Sequence, residues 1–209
     1  MENLENKYNV SRETIDKLKA YESSLKEWQN KFNLVSKSSL ENAWVRHFCD
    51  SVQLIKYIPE TTKVIFDFGS GAGFPGMVLA VLLAEKMPKT HINLVESIKK
   101  KTLYLNAMKE MLHLNNVTII NDRIEKIKKT TADVITSRAM CSLTDLLGYA
   151  YPFTHKNTIM IFPKGKTFQT EIEEAQKKWI FNYQIETNET SEEGKILIIN
   201  KLSPRKGVK

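Results

Sequence analysis

Cysteine is scarce in this 209-residue chain: Cys49 and Cys141 stand 92 positions apart, outside any CxxC or Cys/His ligand spacing. That excludes a disulfide framework and a thiolate zinc site, and leaves two buried thiols as the expectation. His47, His91, His113 and His155 are equally scattered, so no metal centre is expected. Long apolar runs are missing too. The longest, Met77 to Ala84, has eight residues, against the roughly 20 a membrane-spanning helix needs. The first residues are acidic or amide-bearing with no apolar h-region, so no secretory signal is expected and the cytoplasm is the expected compartment. Proline (6) and glycine (8) are too few for collagen-like or low-complexity chains.

What is present describes a folded protein with a sizeable core: 42% hydrophobic and 26% charged residues. The length suits one large domain, or one domain with a short appendage, and not separate cofactor and substrate lobes. The net charge of +7 is uneven. Residues 1–62 carry nine basic and nine acidic side chains, so the whole excess lies in residues 63–209. Excess basic charge favours a polyanionic partner through phosphate neutralisation, although a solvated lysine-rich surface gives the same count.

The Pro-Glu-Thr-Thr stretch at 59–62 divides the chain. Before it, Ile15, Leu18, Leu25, Trp28 and Phe32 fall on one face of a helix predicted from about Ser11 to Phe32. Ser38 and Glu41 then form an S-x-x-E capping box ahead of a second helix, Leu40 to about Ile58. Residues 1–62 thus read as a helical cap. Beyond it, β-branched runs at 64–68, 91–95, 117–121, 134–137 and 158–163 alternate with helix-length stretches, followed by two consecutive runs at 180–185 and 195–200. This predicts an α/β domain over 63–209: a doubly wound, mainly parallel seven-stranded sheet whose last two strands pair antiparallel at one edge.

Four of the eight glycines fall within Asp67-Phe-Gly-Ser-Gly-Ala-Gly-Phe-Pro-Gly76, directly after the first strand, with Pro75 in the predicted first turn of the next helix. A glycine-rich turn there lets the backbone approach a nucleoside closely. Gly71, Gly73 and Gly76 satisfy G-x-G-x-x-G for a dinucleotide, and Asp67 to Gly73 satisfies D-x-G-x-G-x-G for S-adenosylmethionine. Glu96, closing the second strand, could hold ribose hydroxyls in either case. Acidic groups at Asp67 and in Asp122-Arg123-Ile124-Glu125 match the positively charged end and the adenine of the methyl donor, which the balance favours; a dehydrogenase using NAD remains the alternative.

In such a sheet chemistry occurs beyond the carboxyl ends of the strands. The fourth strand ends in Thr136-Ser-Arg-Ala-Met-Cys141, which lacks the N/D-P-P-Y/F motif of exocyclic-amine methylation and gives Cys141 no partner for attack on cytosine. A nucleophile with its own lone pair, such as guanine N7, needs no general base, and catalysis reduces to alignment and electrostatics. Arg138 and Arg123 are the candidate catalytic cations. Arg138 would position cofactor, phosphate or base; a structural salt bridge with Asp67 or Glu125 is its bland reading.

From about Trp28 to Lys201 the chain resembles the bacterial ribosomal RNA small subunit methyltransferase G family, also called glucose-inhibited division protein B. The motifs carrying the resemblance are W-Q-N-K-F-N-L (28–34), W-V-R-H-F-C-D-S (44–51), D-F-G-S-G-A-G-F-P-G (67–76), L-V-E-S (94–97), R-I-E (123–125), T-S-R-A (136–139) and P-K-G (163–165). The resemblance implies S-adenosylmethionine-dependent methylation of N7 of one guanosine in 16S ribosomal RNA; the expected partner is that RNA or the small subunit, and a monomer is expected. It places cofactor contacts at Gly69, Phe74, Ile124, Glu125 and Arg138, with Glu96 at the ribose, beside Asp67, Gly71 and Gly73 of the loop. Three positions depart from the family: Gln29 for asparagine, Pro163 for leucine, and Lys195 for an arginine whose bidentate fork a lysine lacks. Arg46, His47, Lys164 and Lys195 are candidate RNA contacts, with Arg46 and Asp50 a possible i,i+4 surface pair. Lys99, Lys100, Lys101, Lys126, Lys128 and Lys129 could edge the same mouth. A fold-retaining ribosome assembly factor without turnover is a further alternative.

Overall fold

A computed structural model describes residues 4–207. Five helical pieces precede the sheet. They are α1 (Leu4–Tyr8), α2 (Arg12–Gln29), α3 (Lys37–Leu40), a π-helical turn (Trp44–Cys49) running into α4 (Asp50–Val52), and a 3-10 turn (Gln53–Tyr57). Then follow β1 (Val64–Phe68), α5 (Gly76–Lys86), β2 (His91–Val95), α6 (Lys99–Met111), β3 (Val117–Ile120), β4 (Val134–Ser137), α7 (Leu143–Ala150), β5 (Ile159–Lys164), α8 (Phe168–Lys178), β6 (Trp179–Thr187) and β7 (Lys195–Pro204).

The seven strands form one sheet in the order β3-β2-β1-β4-β5-β7-β6, with β1 to β5 parallel and β7 antiparallel to both β5 and β6. The expected edge hairpin is therefore present, with β7 on its inner side. No helix separates β3 from β4, so the expected alternation lapses there, where the chain crosses from one edge to the middle of the sheet.

Period-two alternation sorts the strand residues between two cores. Ile65, Leu94, Val134 and Ile161 face the side covered by α2, α5 and α6, whereas Phe66, Phe68, Ile135 and Phe162 face α7 and α8. Helix α5 lies between the sheet and the cap, and Met77 to Leu83 are all buried, which is why its sequence is apolar all round. Leu18, Tyr21 and Leu25 of α2 belong to the same apolar cluster as α5 and α6. Residues 4–62 thus share their core with the sheet.

Helix α2 begins as expected. The Ser11 side chain accepts from the Thr14 N–H at 3.1 Å, and Glu85 of α5 binds Ser11 in turn (Oγ to Oε2, 2.9 Å). It ends at Gln29 rather than Phe32 because the Gln29 amide closes a turn: Oε1 accepts from Leu34 and Val35 N–H (2.9 and 3.0 Å), and Nε2 donates to the Val35 carbonyl (2.9 Å). The departure at this position thus has a backbone-binding role. The Ser38–Glu41 capping box does not form. Ser36 caps α3 by accepting from Ser39 N–H, which leaves Ser38 inside a single turn, and the continuous second helix is replaced by π, α and 3-10 segments.

Candidate active site

The carboxyl end of β1 opens into the glycine loop. Gly69, Gly71 and Gly73 all have positive φ (65°, 59° and 92°). Pro75, following a cis peptide bond, is the N-cap of α5 and precedes its first turn. The loop is stitched to the end of β2: Ser70 N–H donates to the Val95 carbonyl (3.1 Å) and Gly71 N–H to Glu96 Oε2 (2.9 Å), while Glu96 Oε1 accepts from Ile98 N–H (2.8 Å). Three glycines serve close packing: a Cβ at Gly69 would collide with Met140, one at Gly73 with the Tyr21 hydroxyl, and one at Gly76 with Leu94 and Asp67.

Asp67 is fully buried beneath this loop, where its carboxylate accepts from Thr136 Oγ1 (2.8 Å) and Gly76 N–H (3.3 Å). Burial raises its pKa to about 6, against opposing hydrogen bonds from Ser70, Thr136 and Gly76. Between about 3.8 and about 6 the folded chain holds a proton that the unfolded chain has released, so this group's contribution to stability declines as pH rises through that window. Compared with Asp67→Asn, the wild type should therefore lose about 2 kcal/mol of relative stability between pH 4 and pH 7. Parallel denaturant melts of the two proteins measure it; a pH-independent difference would show that Asp67 titrates normally.

Beside the loop lies a cavity of about 450 Å³ at the carboxyl ends of β1 to β4. Of the expected cofactor residues, Gly69, Glu96, Ile124 and Glu125 line it, together with Arg123. Asp67, Gly71, Gly73, Phe74 and Arg138 do not. Asp67 and Gly73 act under the loop, and Gly71 acts through its bond to Glu96. Lys101, Met140 and Tyr149 also line the cavity. Sequence reasoning missed Met140 and Tyr149 because neither belongs to a motif; Met140 is brought in by the missing Cβ of Gly69, against which it packs. The carboxylates of Glu96, Asp122 and Glu125 and the apolar walls of Val95, Ile124 and Met140 suit a ligand with ribose hydroxyls, a flat base and a positive charge. Lys129 does not edge the mouth: its amine donates to the Ile124 and Glu125 carbonyls (2.7 and 3.0 Å) and fixes that segment.

Arg138 pairs neither with Asp67 nor with Glu125. It reaches into the cap, donating from Nη1 to the Arg46 carbonyl (2.8 Å) and Asp50 Oδ2 (3.2 Å), and from Nη2 to His47 Nδ1 (2.7 Å). Burial and then the Arg138 charge lower the His47 pKa to about 4. The imidazole is therefore neutral at pH 7 and accepts on Nδ1, since guanidinium only donates. The His47 ring stacks on Phe74 at 4.9 Å, with Tyr21 stacked on Phe74 at 5.6 Å. Phe74 thus joins cap to loop. The Arg46–Asp50 surface pair is absent from this arrangement: Asp50 is buried, and its Oδ1 accepts from Gln53 (3.1 Å), Asn188 (2.8 Å) and Thr190 (2.9 Å).

Arg46, His47 and Arg138 line a second cavity of about 650 Å³, beyond β4 and β5, whose opposite wall includes Pro163, Lys164 and Glu171. The two cavities share Ala139 and Cys141. Ala139 has φ 51°, a left-handed conformation costing roughly 1–2 kcal/mol outside glycine, and Cys141 is half-buried rather than buried. Lys164 is ion-paired with Glu171 at 2.7 Å. Lys195 lies opposite Lys164 in the sheet register without lining the cavity. A third cavity, about 1350 Å³, is lined by Lys63, Thr90 and their neighbours at the amino ends of β1 and β2, away from the end at which such sheets carry their chemistry. Among the described residues no group of three or more His, Cys, Asp or Glu could hold a metal ion, and no helix is long and apolar enough to cross a membrane.

A parallel sheet with an antiparallel β7, a glycine loop after β1 and an acidic residue after β2 is the architecture of class I methyltransferases. Solved structures agree on the fold. A "SAM dependent methyltransferase" from Aquifex aeolicus superposes with a TM-score of 0.59 at 14% identity, covering 86% of this chain and 97% of its own. M. jannaschii TYW2 in complex with AdoMet gives 0.57 at 14% identity, covering 82% and 78%. At the level of sequence, the family described as "rRNA small subunit methyltransferase G" matches residues 14–198. A protein of Rhodospirillum centenum named ribosomal RNA small subunit methyltransferase G is 38% identical over 198 residues, covering 95% of this chain and 89% of its own. One of the same name from Rickettsia felis is 37% identical over 194 residues, covering 93% and 97%. The chain belongs to the ribosomal RNA small subunit methyltransferase G family.

Proposed function

We propose that this chain transfers the methyl group of S-adenosylmethionine to N7 of one guanosine in the 16S RNA of the small ribosomal subunit, in the cytoplasm and as a monomer. The observation that carries this reading is the pair of cavities meeting at Ala139 and Cys141, one rich in carboxylates, the other rimmed by Arg46 and Arg138. In this reading Gly69, Glu96, Ile124 and Glu125 hold the donor, with Glu96 taking the ribose hydroxyls while its carboxylate keeps the loop in place. S-adenosylmethionine supplies a methyl group activated on a sulfonium. The helical cap ahead of β1, through Arg46 and His47, forms one wall for the base, and Arg138 holds that wall against β4. Arg123, on the rim of the donor cavity, faces arriving RNA phosphates. No side chain has to remove a proton, so the site's contribution is alignment and exclusion of water.

The test is to incubate the protein with S-adenosylmethionine and small subunits from cells lacking the gene, then locate 7-methylguanosine in the 16S RNA. One new N7-methylated guanosine, matching the one lost in those cells, is expected. Binding of the donor without transfer to any guanosine would identify an assembly factor instead, and binding of NAD in preference to the donor a dehydrogenase.

A further inference from the structure

Guanine N7 carries a lone pair, and its methylation moves charge. As N7 forms its bond to the methyl carbon, the carbon–sulfur bond breaks with its electron pair left on sulfur, and no proton leaves. The positive charge passes from the sulfonium to the purine ring. A site that favours this step therefore needs a negative group beside the acceptor base, where charge appears, and not solely beside the donor. Guanine also differs from adenine in presenting two donors, N1–H and the N2 amino group, which a carboxylate can receive together.

The acceptor-side cavity holds two carboxylates, Asp50 and Glu171. Asp50 is fully engaged by Arg138, Gln53, Asn188 and Thr190. Glu171, on α8, differs. Its Oε2 accepts from Lys164 Nζ (2.7 Å) and from Leu143 N–H (3.1 Å), whereas Oε1 has one long contact, 3.4 Å from Thr167. The two bonds on Oε2 hold the carboxylate against the start of α7, two residues beyond the shared Cys141, while the side chain keeps a quarter of its surface open. Lys164 itself is nearly covered, so its main effect is to fix Glu171 in place.

We infer that Glu171 is the residue that recognises guanine: its carboxylate receives N1–H and the N2 amino group of the target base and faces the positive charge that N7 methylation places on the ring. This rests on guanosine N7 being the acceptor. Lys164 is then a positioning residue, which places an RNA-binding candidate one step back from the base.

The test compares wild type with Glu171→Gln on small subunits reconstituted with 16S RNA bearing guanosine, or inosine, at the methylated position. Inosine keeps N7, O6 and N1–H and lacks the N2 amino group. Wild type should lose about tenfold in kcat/KM on inosine, the effect of one hydrogen bond to a charged group. Glu171→Gln should lose about thirtyfold on guanosine and discriminate guanosine from inosine less than threefold. Its affinity for S-adenosylmethionine, measured by calorimetry, should be unchanged. If the variant discriminates as wild type does, Glu171 only supports α8 and the inference is overturned. If the variant fails to fold, the wild-type arm decides: an inosine substrate methylated as fast as guanosine excludes a carboxylate on the N2 amino group. Wild type that methylates no guanosine at N7 refutes the functional reading itself, an outcome separate from either of these.

Discussion

Arg138→Ala is expected to lower turnover on small subunits about a hundredfold, the effect of a misaligned acceptor, and also to lower the melting temperature by about 5 °C. The second effect follows from where the guanidinium is held. It links β4 to three acceptors on the cap, the Arg46 carbonyl, Asp50 and His47, and its removal leaves Asp50 buried with its charge uncompensated. Breaking a buried pair costs roughly 3–5 kcal/mol. Asp50 keeps Gln53, Asn188 and Thr190 as donors, so about 2 kcal/mol is expected here. At roughly 2–4 °C per kcal/mol for a chain of this size, that gives the stated shift. Lysine should restore little of either effect, because one ammonium cannot serve acceptors that the planar fork reaches from two nitrogens. The measurement is kcat on 30S particles well below the melting transition, beside a thermal melt. Near-normal turnover from a folded Arg138→Ala would remove Arg138 from the alignment of the reaction and leave it as the cap's anchor.

The fold was legible because its signals are local. Period-two runs mark the strands and the loop glycines mark the turn after β1. The cap was less legible. The S-x-x-E spacing points to Ser38 as the cap, whereas the cap is Ser36, directly after the turn that Gln29 closes five and six residues downstream of itself. The π-helical turn at Trp44–Cys49 has no composition of its own. It changes which side chains share a face, and so the sequence spacing suggested Arg46 for Asp50 where the structure supplies Arg138. Within the site, Gly69, Glu96, Ile124 and Glu125 were readable from motifs. Phe74 belongs to the same motif, yet it packs under His47 and Tyr21 because the cap closes over the loop. Glu171 lies on an ordinary amphipathic helix. Its place beside Cys141 arises from the bond to Leu143 N–H and from pairing with Lys164, long-range facts that no local pattern carries.

Replacing Gly71 by valine separates binding from folding more cleanly than a change at any other loop glycine. At Gly73 or Gly76 an added Cβ would strike Tyr21, Met77, Leu94 or Asp67, and a failure to bind donor could simply be a failure to pack. At Gly71 the nearest atom to an added Cβ is the Gly69 carbonyl oxygen, 3.8 Å away, so the space is open and the obstacle is the backbone. A φ of 59° costs an ordinary L-residue roughly 1–2 kcal/mol and a β-branched one more. The loop can relieve this by rotating Gly71 toward negative φ, which swings its N–H off Glu96 Oε2. The carboxylate then loses the 2.9 Å bond that holds it beside the donor cavity. A hydrogen bond to a charged group contributes roughly 1.5–3 kcal/mol, so Gly71→Val should weaken S-adenosylmethionine binding about 10- to 100-fold while the melting transition stays cooperative. Calorimetric titration beside a thermal melt measures both. Wild-type affinity in a folded Gly71→Val would mean that the loop's left-handed backbone serves only to turn the chain from β1 into α5, and the donor would have to be held by Gly69, Ile124 and Glu125 without the Glu96 clamp.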